Sequence, residues 1–287
     1  LKAEKMSGGI LWLASYPKSG NTWVRVFLEN LFMDGKEPVD INKMSVVQFS
    51  DANPGLYDNV LDRSLYNSND IDIDNLREIF QKTLAQHPDT TIIKTHNLLL
   101  HNTLPRIISL NYTMGAIYIV RNVFDVVVSF ADHYDMPIDK AVEGISSSTM
   151  RTPTTSVAVV QYLGSWSEHY VSWTSVPGFA PLVLRYEDLR THPFREFSRV
   201  VKFLKLPAKP DRIKKAIRFS NFEEVSRQEK HSGFKERVRA DQVFFRGGKV
   251  GGWRDHLSDR HVQTLIEHHR PVLRALRYLD KSDRPTV

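Results

Sequence analysis

The stretch Leu11-Trp12-Leu13-Ala14-Ser15-Tyr16-Pro17-Lys18-Ser19-Gly20-Asn21-Thr22-Trp23 constrains this chain more than any other. An apolar run is followed by a loop of small residues with one lysine, and then by Val24, Phe27, Leu28 and Leu31 at helical spacing. That order predicts strand, tight turn and amphipathic helix. Such a junction aims the loop N–H groups and the positive end of the helix dipole at one place, which suits an anion, above all a phosphate. Lys18 and the hydroxyls of Ser19 and Thr22 add donors. The strict nucleoside-triphosphate pattern is not met, because Ser15 stands at its first glycine and Asn21 at its lysine. The cation has moved upstream to Lys18. The same residues also permit an ordinary strand-to-helix turn with a solvated lysine.

The rest of the chain alternates apolar runs with helical periodicity. Strands are expected over 9–14, 90–95, 115–120 and 180–185, and helices over 76–85, 157–173, 194–204 and 258–279, the last interrupted or kinked by Pro271. Asn122 is placed to cap a helix with Val123, Val126, Val127 and Phe130 on one face. Residues 50–74 and 146–156 read as surface loops. The expected fold is α/β, a single domain over 1–287 with a central parallel β-sheet flanked by helices. With 287 residues and 41% hydrophobic content the chain can fill such a core. Residues 1–8 are read as a tag or linker remnant and 280–287 as a flexible tail.

Composition narrows the chemistry. The chain has no cysteine, so disulfides, thiolate zinc sites, iron–sulfur clusters and a thiol nucleophile are excluded. Residues 201–287 hold 21 Lys/Arg against 11 Asp/Glu, on a slightly acidic remainder. A basic third of this kind suggests an anionic ligand gripped there. No apolar run reaches the roughly 18 residues of a membrane span, and the start lacks a signal-peptide core. A soluble, cytoplasmic protein is expected.

Three further segments carry candidate chemistry. Arg121 is the first polar residue after the apolar run 116–120, where a metal-dependent nucleotidase usually places an aspartate. At the carboxyl end of a parallel strand its fork suits a terminal phosphate, although an ion pair with Asp125 would also account for it. Ser129 follows two helical turns later. Phe244-Phe245-Arg246-Gly247-Gly248-Lys249-Val250-Gly251-Gly252-Trp253-Arg254 combines four glycines with three basic residues, either an anion nest that closes over a ligand or a flexible basic loop. Thr91-Ile92-Ile93-Lys94-Thr95-His96 ends a strand on a histidine, and cations at the same sheet edge would keep it neutral and basic. The other histidines show no metal-ligand spacing, and His268-His269 reads as part of a surface helix.

These segments, in this order, resemble the cytosolic-type sulfotransferases that use 3′-phosphoadenosine 5′-phosphosulfate (PAPS), and the resemblance spans about residues 11–254. It implies a nucleotide-kinase-like P-loop fold with a PAPS-binding loop, in which Lys18, Ser19, Gly20, Asn21, Thr22 and Trp23 hold the 5′-phosphosulfate, with Trp23 stacked near adenine. The R-N-x-x-D-x-x-x-S element implies that Arg121 and Ser129 bind the 3′-phosphate, and K-T-H implies His96 as catalytic base beside Lys94. The Y-E-D tripeptide implies Tyr186 at the nucleotide, and Ser220-Asn221-Phe222 resembles an adenine contact made by Ser220 and Phe222. The closing loop implies Phe244, Phe245, Arg246, Gly247 and Gly248. Asn21 stands for the usual threonine, Gly247 for a lysine and Gly252 for an aspartate. The dimerisation signature of animal members is absent around 234–243, so the oligomeric state stays open.

The resemblance implies in-line sulfuryl transfer to a hydroxyl or amine of a small-molecule acceptor, with PAP as the other product. His96 takes the acceptor proton, Lys18 stabilises the leaving phosphate, Ser129 holds Lys18 or the 3′-phosphate, and no metal is required. The alternatives are a P-loop kinase, which wants a lysine after Gly20 and an aspartate at Arg121, and a nucleic-acid binder, which wants aromatics interleaved with the basic residues. The first finds Asn21 and Arg121 at those places, and for the second the basic residues instead include a glycine nest that matches a nucleotide loop. The acceptor pocket is expected from loops within 50–65 and 135–155, with His133 and Tyr134 at its rim, and the acceptor's identity stays open.

Overall fold

The computed structural model of the chain describes residues 8–47, 49–55, 57, 70–99, 107–155, 157–237 and 241–287. In chain order its elements are β1 (Ile10–Ser15), α1 (Asn21–Met33), β2 (Phe49–Ser50), α2 (Asp70–Ala85), β3 (Thr91–Thr95), β4 (Thr113–Val120), α3 (Val123–His133), α4 (Ile138–Ser146), β5 (Arg151–Thr152), β6 (Gln161–Tyr162), α5 (Trp166–Thr174), β7 (Leu182–Arg185), α6 (Tyr186–Thr191), α7 (Pro193–Phe203), α8 (Pro210–Phe219), α9 (Phe222–Ser232) and α10 (Asp259–Ala275). Five strands form a sheet in the order β2-β3-β1-β4-β7, with β1 and β2 each parallel to β3. The chain therefore adopts the expected α/β fold. Every residue of β1 is buried, as a strand covered on both faces requires.

Two compact units divide the chain: 1–16, 48–118 and 147–183 form the first, 17–47, 119–146 and 184–287 the second. In the first, β1 pairs with β3 in the register Leu13 to Lys94 and Ala14 to Thr95. The buried Arg77 of α2 bonds the Asp74 carboxylate, the Tyr57 hydroxyl and the Asp51 and Val160 carbonyls. Asp51 accepts from Thr95 Oγ1 at 2.6 Å and Asn97 Nδ2 at 2.8 Å, and burial holds its carboxyl above the usual range. A guanidinium can stay buried only with its donors matched in this way.

The expected helix 157–173 is corrected. Residues Gln161–Tyr162 are a strand antiparallel to β5, and the helix begins at Trp166. Gly164 at φ 59° turns the chain, and Ser165 with Glu168 forms a capping box that sets the helix start. The segment 135–155, expected as loop, contains α4, with Ala141, Val142 and Ile145 buried. In the expected loop 50–65, residues 56 and 58–65 lie outside the described residues, as do 1–7 of the remnant.

In the second unit α1 meets α8, where Arg212 donates to the Leu31 carbonyl at 2.8 Å and Lys215 pairs with Asp34. Val26, Ile41, Met44, Val225 and Phe234 form an apolar cluster against which Phe244 and Phe245 pack. Pro271 does not interrupt α10, which runs on to Ala275. His269, expected on a surface helix, is fully buried, and burial pushes its pKa down to about 3. Residues 280–287, expected as a flexible tail, fold back: Leu279 bridges Pro285, Thr286 N donates to Tyr278 O, and Trp253 Nε1 donates to Val287 O at 3.0 Å.

Candidate active site

The loop that enters the second unit after Tyr16 turns left-handed at Lys18 (φ 68°) and Gly20 (φ 101°). A lysine in that region costs roughly 1–2 kcal/mol and persists only where its surroundings enforce it. Gly20 is required by space as well, since a Cβ there would lie 2.6 Å from the Tyr186 ring. Gly20 is also the N-cap of α1, and no side chain caps that helix end. The positive end of the helix dipole is thus left for a ligand. Ser19 is fully buried, and its hydroxyl has no partner among the described residues. A buried hydroxyl in a left-handed loop at an uncapped helix end fits an anion. Asn21 and Thr22 are buried in the first turn of α1.

Arg121 joins this loop to the glycine-rich one. Its Nη1 donates to Lys18 O at 3.3 Å and its Nη2 to Lys249 O at 3.1 Å, while the guanidinium lies 4.6 Å over the Tyr186 ring. The ion pair with Asp125 is present at 3.7 Å. Asp125 does more than neutralise the arginine, because it also accepts from Gly251 N at 2.9 Å and Trp253 N at 3.0 Å. Asn122 caps α3 through Asp125 N at 2.8 Å, and gives its own N and Nδ2 to Glu187, which also accepts the Tyr278 hydroxyl at 2.6 Å.

Tyr186 donates to Gly248 O at 2.9 Å and presents its ring edge-on to Trp23 at 5.9 Å. Burial pushes its phenol pKa up, so it remains a donor. Lys18 Nζ sits 4.2 Å over the Phe244 ring, and Phe244 N and Phe245 N donate to the Glu229 carboxylate at 2.7 and 2.8 Å. The Gly248 Cβ position would be 3.6 Å from Phe222 and 2.5 Å from the Tyr186 hydroxyl, whereas around Gly247 there is open space. Arg246 pairs with Asp132 at 2.9 Å. Lys18, Gly20, Trp23, Arg121, Tyr186, Phe222, Phe244 and Gly248 thus come together. Ser129 is half-buried on α3. Ser220 is fully buried at the end of α8, with its hydroxyl on Ile217 O. Sequence reasoning did not find Asp125, Glu187 or Glu229 as anchors. Asp125 had a signal, three residues after the predicted cap Asn122; Glu229 had none.

His96 and Lys94 belong to the first unit. His96 follows β3, and its Nδ1 lies 2.7 Å from Ser15 O and 3.3 Å from Ser15 Oγ. A carbonyl only accepts, so Nδ1 carries the proton and Nε2 the lone pair. That is the tautomer a base needs at Nε2. Lys94 is half-buried in β3, and its carbonyl accepts from Asp51 N at 3.1 Å. Among the described residues no group of three or more His, Asp or Glu is placed to hold a metal.

Over residues 10–277 the chain matches the sulfotransferase domain. It belongs to the sulfotransferase family. The mouse (Mus musculus) sulfotransferase 1A1 is 25% identical over 274 residues, covering 91% of this chain and 83% of that protein. The rat (Rattus norvegicus) sulfotransferase 1E1 is 26% identical over 270 residues, covering 91% and 82%. Cytosolic sulfotransferase 12 of Arabidopsis thaliana is 26% identical over 269 residues, covering 88% and 74%. The fold is shared with retinol dehydratase, solved with androsterone and the inactive cofactor PAP, at TM-score 0.61, 18% identity and coverage of 94% and 82%. Mouse SULT7A1, solved with PAP, aligns at TM-score 0.59, 20% identity and coverage of 93% and 85%. As a sulfotransferase this chain is an enzyme of group transfer. No helix among its described residues is long and apolar enough to cross a membrane.

Proposed function

We propose that this sulfotransferase takes a sulfuryl group from PAPS and passes it in line to a hydroxyl or amine of a small-molecule acceptor, releasing PAP. The observation that carries the reading is the anion cradle at 17–20: two left-handed residues, the buried Ser19 hydroxyl and the uncapped end of α1, closed by Arg121. Bound PAPS supplies an activated sulfur whose bond to the 5′-phosphate breaks as the acceptor bond forms. Lys18 and the α1 end stabilise the charge left on that phosphate. His96 receives the acceptor proton at Nε2. Arg121 and Ser129 hold the 3′-phosphate, with Arg246, Gly247 and Gly248 closing over it. Trp23, Tyr186, Ser220 and Phe222 form the base side of the nucleotide site, with Phe244 under Lys18 and Phe245 packed on Phe244 in the closing loop. Residues 10–277 act as one sulfotransferase domain, and the enzyme works in the cytoplasm.

The test is a panel of phenols, alcohols, sugars and amines incubated with sulfur-labelled PAPS. Label should move to one acceptor class with stoichiometric PAP. An enzyme that neither binds PAP nor releases it with any class overturns the reading.

A further inference from the structure

One face of α5 grips the backbone that follows the proposed base. His169 Nε2 lies 3.0 Å from His96 O, Ser172 Oγ accepts Leu99 N at 3.1 Å, and Trp173 Nε1 donates to Asn97 O at 3.1 Å. These residues stand at i, i+3 and i+4, the spacing that puts side chains on one helical face. His96 O only accepts, so His169 Nε2 carries the proton. Its Nδ1 must then accept, and it faces the Tyr118 hydroxyl at 2.8 Å. Burial keeps the Tyr118 phenol well above its ordinary pKa, so it can donate. His169 is completely buried, with the Tyr16 ring edge-on to it at 5.4 Å. Burial outweighs its bond to His96 O and pushes its pKa down to about 4, leaving one neutral tautomer near neutral pH.

We propose that His169 is a positioning residue for catalysis: through Tyr118 and the His96 carbonyl it fixes the peptide that presents His96, so that the His96 ring stays on Ser15 O with its lone pair at Nε2. The proposal rests on His96 being the base. Core packing alone does not call for an imidazole here, because a buried polar ring costs free energy unless both nitrogens are matched, and an apolar ring of similar size would fill the space. The match goes to the one carbonyl in the first unit that belongs to His96 itself.

The test compares wild type with His169→Phe, His169→Gln and Tyr118→Phe, using nitrogen-15 histidine spectra to read the His96 tautomer, titration with PAP, and turnover of the acceptor class found by the panel. Wild type should show the Nδ1–H form of His96. His169→Phe should mix the two tautomers and lower kcat by about 10-fold or more, because misplacing a reacting group by an ångström costs up to about 10²-fold. PAP affinity should be unchanged. His169→Gln, which restores a donor near the Nε2 position, should recover most of both effects, and Tyr118→Phe should give a smaller version of the loss. If His169→Phe fails to fold, Tyr118→Phe decides. A wild-type tautomer signature with unchanged kcat in His169→Phe, or in Tyr118→Phe where His169→Phe does not fold, overturns the proposal. Full activity of His96→Ala would instead overturn the base assignment, whatever the tautomer spectra show.

Discussion

The imidazole of His96 is bound at Nδ1 to the carbonyl oxygen of Ser15, 2.7 Å away and 81 residues earlier in the chain. Strand β1 therefore sets the tautomer of a residue at the end of strand β3. Replacing His96 by alanine should lower kcat by roughly 10²–10⁴ with PAP affinity unchanged, since proton transfer alone is lost. Steady-state rates beside PAP titration check this. Full activity in the variant would move the base elsewhere, with His133 at the end of α3 as the next residue to replace.

Nucleotide choice should follow the 3′-phosphate. PAP at about 100-fold above its Kd should stabilise the fold by about 2.7 kcal/mol, and ADP at the same concentration far less. Arg121→Ala should weaken PAP binding and abolish the preference, because the charge-assisted contact and the ties to Lys18 O and Lys249 O go together. Equal melting shifts for PAP and ADP in wild type would remove the 3′-phosphate site.

The glycines of the two loops should respond unequally. Gly20→Ala meets both the left-handed φ and the Tyr186 ring, and should destabilise by about 2 kcal/mol or more. Gly248→Ala sets a methyl group against the Tyr186 hydroxyl and should break its bond to Gly248 O, weakening PAP binding. Gly247→Ala has open space, and its unfolding free energy should stay within about 0.5 kcal/mol of wild type. Urea unfolding of the three variants separates these cases.

Acid should destabilise the protein through two buried histidines. In the unfolded chain a histidine binds its proton near pH 6.5, whereas His169 resists it until about 4 and His269 until about 3. Between those values the unfolded state holds more protons, so stability falls as pH falls. The contribution is complete above about pH 6.5, and for His169 it amounts to about 3 kcal/mol. Unfolding free energies should be flat from pH 7 to 8 and decline from 6.5 toward 4. His169→Gln should flatten part of that decline. A wild-type profile level down to pH 4 would contradict both burials.

Legibility followed distance along the chain. The anion loop could be read because strand, small-residue turn and helix are neighbours, and their N–H groups converge by local geometry alone. The cap at Asn122 was legible for the same reason, since its partner is Asp125 N. Element ends were less so: a continuous helix over 157–173 fitted the periodicity, but strand pairing with β5 and the Ser165 cap divided it.

What the sequence determined by itself was the α/β pattern, the residue types of the anion site and a histidine at the end of a strand. Tertiary structure decided which groups those residues meet. Asp125 receives Gly251 N across 126 residues, Glu229 receives Phe244 N, and His169 takes the His96 carbonyl across 73. Burial decided them. Once packing removes water, each N–H and carbonyl must find a partner within about 3 Å, and only the assembled core brings such partners into reach.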